Sequence, residues 1–481
     1  MTKNIKSITN PKLSLNILTP AEIQQIHEAT LHTIEKVGVR FPSQRALEIW
    51  QAHGAQVDPK TMIVKAKPEL IEAALKNAPP AYTLGARDPQ QNCPMDGNHV
   101  FLGTDGCGVE IIDIHNGQKR TSELNDVANI ARVADASEEI GFHWVALSAQ
   151  DKPAHTRGLH EIKAVWENST KHVQTESIYN EREARAAMEM AIAVAGSKEE
   201  LRRRPVLSLM QCTAPPLGHD GGSLDAALVA AEFGVPTGFM TMAANLTTGP
   251  ATLAGNLVVG NAEVISATAL LQLAYPGAPV FYAAAQTASD LRSGAYTGGG
   301  PEDFLYGAAT NVIADFYNIP LSMGSFATGA KEPNWQAGLE NSLSTMMACI
   351  VMSDMLLGAG FLHGSRIWSY AEMMLDCEIF SIIHKMMQGI LVNDETIAMD
   401  VIAQVGPGGN FLTQKHTRQH MRELFLPQFM DRRPYSEWET HKDDSRDWAL
   451  QKARNILAKH QPDPLDLAVS SELANIIQTL E

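Results

Sequence analysis

Between Val100 and Gly364 the chain alternates short β-type runs with stretches long enough for a helix. The runs open near Val100, His143, Val173, Val206, Pro236, Pro279, Pro320 and Met355. Their mean spacing is about 36 residues, close to the length of one strand–helix crossover unit. Several lack polar alternation, as in Val206-Leu-Ser-Leu-Met-Gln211 and Met355-Leu-Leu-Gly-Ala-Gly-Phe-Leu362. Such strands are covered on both faces, which is the condition inside an α/β fold. Eight units in succession is the number at which a parallel sheet closes, so the pattern predicts an α/β fold, a (β/α)8 TIM barrel with an N-terminal helical layer and a C-terminal extension. The second strand is placed at His143–Ser148. Function in such barrels sits at the carboxyl ends of the strands.

Before the barrel the period changes. Thr19-Pro20-Ala21-Glu22 has the form of a capping box with proline in the first turn, and Gly38 is placed to close that helix. Ser43 opens a second helix ending near Gly54, and Pro68–Asn77 reads as a third. Residues 1–98 are therefore assigned to a helical layer, 99–395 to the barrel, and 396–481 to an extension packed on the barrel or at a subunit contact. Phe425–Trp438 is the stretch expected to meet a second copy in a homo-oligomer.

Composition narrows the partners. The net charge of −16 and pI near 5.5 argue against nucleic acid or an anionic membrane surface. Arg202-Arg203-Arg204, the densest basic patch, reads as a solvated helix end. Met1–Leu15 lacks a charged-then-apolar leader pattern, and the apolar stretch Ala262–Leu273 is short for a bilayer. The five cysteines are irregularly spaced without a C-x-x-C, as expected for a reduced cytoplasmic protein.

The expected barrel mouth carries Thr104, Asp105, Ser148, Gln150, Glu176, Gln211, Cys212, Thr241–Asn245, Gln286, Phe326, Phe361 and His363, with Tyr179, Tyr296, Trp335, Trp368 and Tyr370 in the loops. This set contains no Ser-His-Asp arrangement, no histidine pair at metal spacing and no strand lysine for a Schiff base. Cys107, Cys212 and His363 could converge on zinc, although buried cysteines usually serve as small hydrophobes. Gly298-Gly299-Gly300 could present N–H groups to an anion, or simply form a loop tip. Asp105 and Glu176 are candidates for ligand binding or proton transfer. The aromatic residues, among them Tyr179, Tyr296, Phe326, Phe361 and Trp368, could cage a quaternary ammonium or pack the rim.

Longer motifs carry a family resemblance. Thr248–Glu263, Gln272–Val280, Gly299–Glu302, Ala330–Glu340 and Gly406–Thr417, with Thr19–Phe41 and Gly117–Ala131, resemble the trimethylamine:corrinoid methyltransferase superfamily over nearly the whole chain. The resemblance implies a barrel that passes a methyl group from a methylated amine to the cobalt(I) of a corrinoid (cobalamin) carried by a separate cognate protein. The trimethylamine enzymes carry pyrrolysine near the end of the seventh strand, whereas Ser325-Phe-Ala-Thr-Gly-Ala-Lys331 here holds ordinary residues. Members without pyrrolysine resemble methyltransferases for glycine betaine, proline betaine or carnitine. A quaternary ammonium leaves as a neutral amine, so displacement needs position rather than a general acid or a protein nucleophile. The expected grip is by aromatic faces with Asp105 or Glu176 on the cation, and by His363, Arg366 and Gln211 on a distal carboxylate. Two other readings are a non-catalytic betaine-binding barrel and a metal-assisted lyase or hydrolase.

Overall fold

The computed structural model describes residues 17–106, 108–295, 298–326 and 328–481. Its centre is a closed parallel barrel in chain order. The strands are β1 Phe101–Thr104, β2 Ile140–Trp144, β3 His172–Thr175, β4 Leu207–Cys212, β5 Thr237–Thr241, β6 Val280–Ala284, β7 Leu321–Gly324 and β8 Met355–Ala359. Closure is made by Leu356 opposite Leu102. The helices that follow are α1 Leu124–Ala136, α2 Arg157–Asn168, α3 Glu181–Ala195, α4 Gly221–Phe233, α5 Leu253–Ala274, α6 Pro301–Tyr317, α7 Trp335–Ile350 and α8 Tyr370–Met387.

All eight expected strands are present, and β2 is the one displaced. It begins at Ile140 and ends at Trp144, so Ser148 and Gln150 lie beyond it. Ser148 N–H donates to Gly108 O, and Gln150 N–H to Ser122 O, which binds this segment to the loop after β1. Helix α5 is also longer than its apolar stretch suggests. It has the length and composition to cross a membrane, yet 78% of its apolar window is buried in the protein. Here it is a core helix, held by Asn261, whose Nδ2 donates to Thr30 Oγ1 and Tyr317 OH, both at 2.9 Å.

The parity of the strands sorts side chains into two cores. Phe142, Trp144, Met210, Met240, Phe281, Ala283, Met355 and Leu357 fill the lumen, while Leu102, Val173, Leu209, Phe239, Tyr282 and Leu356 face the helices. The lumen rings fit because glycines face them: a Cβ on Gly103 would stand 2.5 Å from the Phe142 ring, and one on Gly238 would stand 2.1 Å from Phe281. An antiparallel hairpin, Tyr82–Leu84 with Cys93–Met95, plugs the amino end of the barrel and joins the lumen core.

The N-terminal layer has the expected capping box at Thr19 and Glu22, Gly38 at a φ of 92°, and Ser43 as the second N-cap. It is not wholly helical, because Val39–Arg40, Gln56–Asp58 and Ile63–Lys65 form a three-stranded sheet. In the extension, helix Ser445–Lys459 packs on α8 and α1, and Leu467–Gln478 on α3 and α2.

Candidate active site

Three lumen side chains converge at the carboxyl end of the barrel. Asp105 follows β1, Glu176 follows β3, and Cys212 ends β4, each on the inward register of its strand. Asp105 is 7% exposed and Glu176 is 6% exposed. The Cys212 thiol points at Glu176 Oε2 from 4.0 Å. Burial, followed by the charges of Glu176 and Asp105, pushes that thiol far above its ordinary range. It is therefore held neutral and is unsuited to act as a nucleophile.

Asp105 accepts a hydrogen bond from its neighbour, Gly106 N–H, at 2.9 Å, and a second from the Ser365 hydroxyl. Both donors are uncharged. Burial consequently dominates, and the Asp105 carboxyl is pushed up to about 6. Beneath it, the indole of Trp144 lies against Gly106, where a Cβ would come within 2.4 Å of the ring. Ala285 and Met242 complete the wall at β5 and β6. A further acid, Glu161 of α2, lies close enough to Glu176 to feel its charge and is pushed up to about 7, mainly by burial. The carboxyl end of the lumen is thus apolar with inward carboxylates, an environment that favours a small cation there.

Ser365 reaches Asp105 because the loop after β8 folds back. Phe361–Leu362 and Ile367–Trp368 pair as an antiparallel hairpin, which extends in parallel onto Glu110–Ile112 from the loop after β1. The turn runs through His363, Gly364 and Ser365, all at positive φ. Both ends of this hairpin are core. Phe361 and Trp368 are fully buried and meet edge to face at 5.2 Å, and Trp368 meets Tyr370 similarly. Full burial and these edge-to-face contacts place both rings in the core.

Among the described residues proposed for it, the expected aromatic cage is therefore not assembled. Phe361, Trp368 and Phe326 belong to the outer core, and Tyr179 is 55% exposed on the loop after β3. Tyr296 lies outside the described residues, as does Cys107. Gln211 and Gln286 are on the outward register. Gln211 Nε2 donates to Ile178 O at 3.1 Å, and Gln286 Nε2 donates to Asn256 O at 2.7 Å. The Gln286 contact belongs to a buried network in which Asn256 also reaches Ala243 O and Tyr306 OH. This network, with Glu263 accepting from Thr213 and Thr241, is what the Thr248–Glu263 motif builds. Arg366 is exposed and turned to Glu110 at 3.7 Å.

His363 stands at the rim rather than in the chamber. With Lys331, Arg292 and Gln336 it lines an open cleft of about 590 Å³ between the loops after β6, β7 and β8. Partial burial and the nearby Lys331 and Arg366 hold its imidazole below the usual range, hence neutral. The glycine triplet borders this cleft, but Gly300 N–H already donates to Asp303 Oδ2 at 2.9 Å, and Gly299 packs against the Glu340 carboxylate. The chain's own acids hold the position considered for an anion. Among the described residues, no group of three or more His, Cys, Asp or Glu is placed to hold a metal ion; Cys212 and His363 are separated between chamber and rim.

Sequence reasoning missed Trp144, Gly106, Ser365 and Glu161. The pairing of ring and glycine across neighbouring strands was the available sign for Trp144. Ser365 depended on a loop folding back, which no periodicity records.

Comparison with known proteins places this architecture. The family described as trimethylamine methyltransferase (MTTB) matches residues 1–480. A glycine betaine methyltransferase from Desulfitobacterium hafniense (strain Y51) is 34% identical over 465 residues, covering 96% of this chain and 96% of that protein. The trimethylamine methyltransferase MttB of Desulfitobacterium hafniense (strain DSM 10664 / DCB-2) is 33% identical over 461 residues, covering 96% and 93%. The crystal structure of the Methanosarcina barkeri monomethylamine methyltransferase (MtmB) superposes with a TM-score of 0.51 at 11% identity, over 92% of this chain and 93% of that one, a likeness of fold alone. By a match that spans all but its last residue, the chain belongs to the trimethylamine methyltransferase (MTTB) family.

Proposed function

We propose that the protein is a corrinoid-dependent methyltransferase that takes a methyl group from a small quaternary amine, glycine betaine first among them. The observation that carries the reading is the carboxyl end of the lumen: Asp105 and Glu176 are buried beside apolar walls, and the hydrogen bonds to Asp105 come from neutral donors. A fixed cation satisfies that site, and a lone pair is not needed there. The ordinary residues at Ser325–Lys331 agree, since a quaternary nitrogen has no lone pair for covalent capture.

The methyl acceptor is a second substrate, the cobalt(I) of a corrinoid brought by its own protein, which supplies both electrons of the new bond. The N–CH3 bond breaks with its electron pair passing to nitrogen, so glycine betaine leaves as dimethylglycine with a neutral amine and an anionic carboxylate, and no proton moves in the transfer step. The chain's part is binding and aim. Asp105 and Glu176 hold the ammonium head, Trp144 and Cys212 exclude water, and Ser365 fixes the Asp105 carboxylate. A betaine carboxylate is directed toward the rim, where His363 and Lys331 lie; a charge-assisted hydrogen bond there contributes about 1.5–3 kcal/mol.

The test is a panel of methylated amines offered with reduced free corrinoid, read by loss of the cobalt(I) absorbance and by appearance of the demethylated amine. Glycine betaine is expected to yield dimethylglycine in step with methyl-corrinoid. Binding without transfer, with the corrinoid verified as reduced, would replace the enzyme by a betaine-binding barrel.

A further inference from the structure

The turn that brings Ser365 onto Asp105 has a support of its own, and that support lies outside the lumen. Glu340 stands on the second turn of α7. Its Oε2 accepts from the Thr328 hydroxyl at 2.5 Å and from Gly329 N–H at 2.9 Å, both in the loop after β7. Its Oε1 accepts from Gln336 Nε2 at 2.9 Å. The loop after β6 closes on the same group. A Cβ on Gly299, which has a φ of 76°, would stand 2.6 Å from the Glu340 carboxyl carbon.

The next link is backbone. Thr328 O accepts from Gly364 N–H at 2.9 Å, and Ala330 O accepts from His363 N–H at 2.7 Å. His363 and Ser365 both have positive φ, a conformation that side-chain-bearing residues keep only where their surroundings impose it. Ser365 then carries the hydroxyl that donates to Asp105. The Ala330–Glu340 motif thus begins at a carbonyl that receives the turn and ends at the carboxylate that steadies the loop.

We infer that Glu340 is a positioning residue of the active site. By fixing Thr328 and Gly329 it fixes the turn at 363–365, and through Ser365 it sets the direction of the Asp105 carboxylate. The inference rests on the reading of Asp105 as a holder of the substrate cation.

The bracing is local to the tip of the hairpin. Its root is tied by another route, in which Asn341 Nδ2 donates to Asp376 Oδ1 at 2.9 Å and Asp376 Oδ2 accepts from Gly360 N–H at 2.8 Å. Phe361 and Trp368 anchor its two strands in the core. Loss of Glu340 therefore releases the tip while the hairpin stays paired. The chemistry of the group matters too. An amide oxygen can still accept from Thr328 and Gly329, and its NH2 can face Gln336 once that side chain turns its own oxygen inward. Glu340→Gln keeps the clamp, and Glu340→Ala removes it.

Hydrogen–deuterium exchange on the full chain without substrate tests the link. In Glu340→Ala the amides of His363 and Gly364 should exchange about tenfold faster, while Ile367 and Trp368 keep wild-type rates. Glu340→Gln should stay near wild type. Thr328→Val, which removes one donor and leaves Glu340 in place, should show the same pattern more weakly. Calorimetry and kinetics with glycine betaine read the consequence. Glu340→Ala should raise Kd and KM about fivefold, the worth of one ordinary hydrogen bond, with kcat less affected, and Glu340→Gln should restore them. Ser365→Ala should weaken binding similarly, and the double variant should bind no more weakly than Ser365→Ala alone, because both changes cut one line. Wild-type exchange at His363 and Gly364 in Glu340→Ala overturns the inference, as do additive losses in the double variant. A wild type that neither binds nor demethylates betaine sinks the substrate reading alone, and the clamp then stands or falls on the exchange rates.

Discussion

Replacing Asp105 with asparagine removes one negative charge from the chamber while keeping the size of the side chain. An ammonium nitrogen about 5 Å from that carboxylate, at an effective dielectric constant near 20, gains about 3 kcal/mol of Coulomb energy. Incomplete ionisation takes back little of this, since a carboxyl at about 6 is about 90% charged at pH 7; the dipole of the asparagine amide recovers about 1 kcal/mol. The net loss in Asp105→Asn is therefore about 2 kcal/mol, roughly a 30-fold weaker hold on glycine betaine. The split between constants follows from the chemistry. Positive charge on nitrogen disappears as the methyl group departs, so the carboxylate stabilises the bound substrate at least as much as the transition state. KM should rise roughly 30-fold with kcat unchanged or slightly higher. Calorimetry supplies a readout independent of turnover. The isostere 3,3-dimethylbutyrate, whose quaternary carbon carries no charge, should bind wild type far more weakly than betaine, and the gap should narrow by that same factor in the variant. Equal discrimination between the two ligands in wild type and Asp105→Asn would refute the reasoning.

Asp105 also sets a pH dependence. Its carboxyl, raised from 3.8 to about 6 in the fold, is neutral below that value and anionic above it. Betaine KM should therefore climb as pH falls through about 6, by at most about tenfold per pH unit. The same titration in Asp105→Asn should lack that limb. A Cβ at position 106 would stand 2.4 Å from the Trp144 indole, so Gly106→Ala should lower the melting temperature, costing about 1–3 kcal/mol, and weaken betaine binding; wild-type values for both would contradict the packing. Phe361→Ala should cost about 3–5 kcal/mol of stability, whereas Phe361→Leu should bind betaine with wild-type affinity. Trp144→Leu should do the reverse in binding, and a loss of affinity in Phe361→Leu would restore the rim cage.

Much of this arrangement was legible in the chain because it rests on period and spacing. The strands announced themselves as apolar runs bounded by helix caps, and their order fixed which residues meet at the mouth. Asp105, Glu176 and Cys212 were placed there by strand ends alone, and they do converge. What spacing could not supply was facing. Gln211 and Gln286 stand one register step from Cys212 and Ala285, and that step turns their side chains out to Ile178 and Asn256. A β2 that begins three residues early puts its carboxyl end at Trp144 rather than Ser148, because Gly141 breaks the apolar run that would have marked the true start. The rim aromatics misled for a related reason. A ring near a strand end can face a ligand or another ring, and the hairpin that joins Phe361 to Trp368 decides in favour of the second. Motif resemblance was silent on the distinction, since the Thr248–Glu263 segment serves a buried network that shapes loops without lining the chamber.

The central claim is that a permanent cation is held by the two inward carboxylates, and a crystal structure of the protein with glycine betaine addresses it most directly. The account predicts the ammonium nitrogen within about 6 Å of the carboxylates of both Asp105 and Glu176, with the betaine carboxylate turned toward His363 and Lys331. A nitrogen seated against Phe361 and Trp368, or betaine bound in the open cleft with the chamber filled by water, would contradict it.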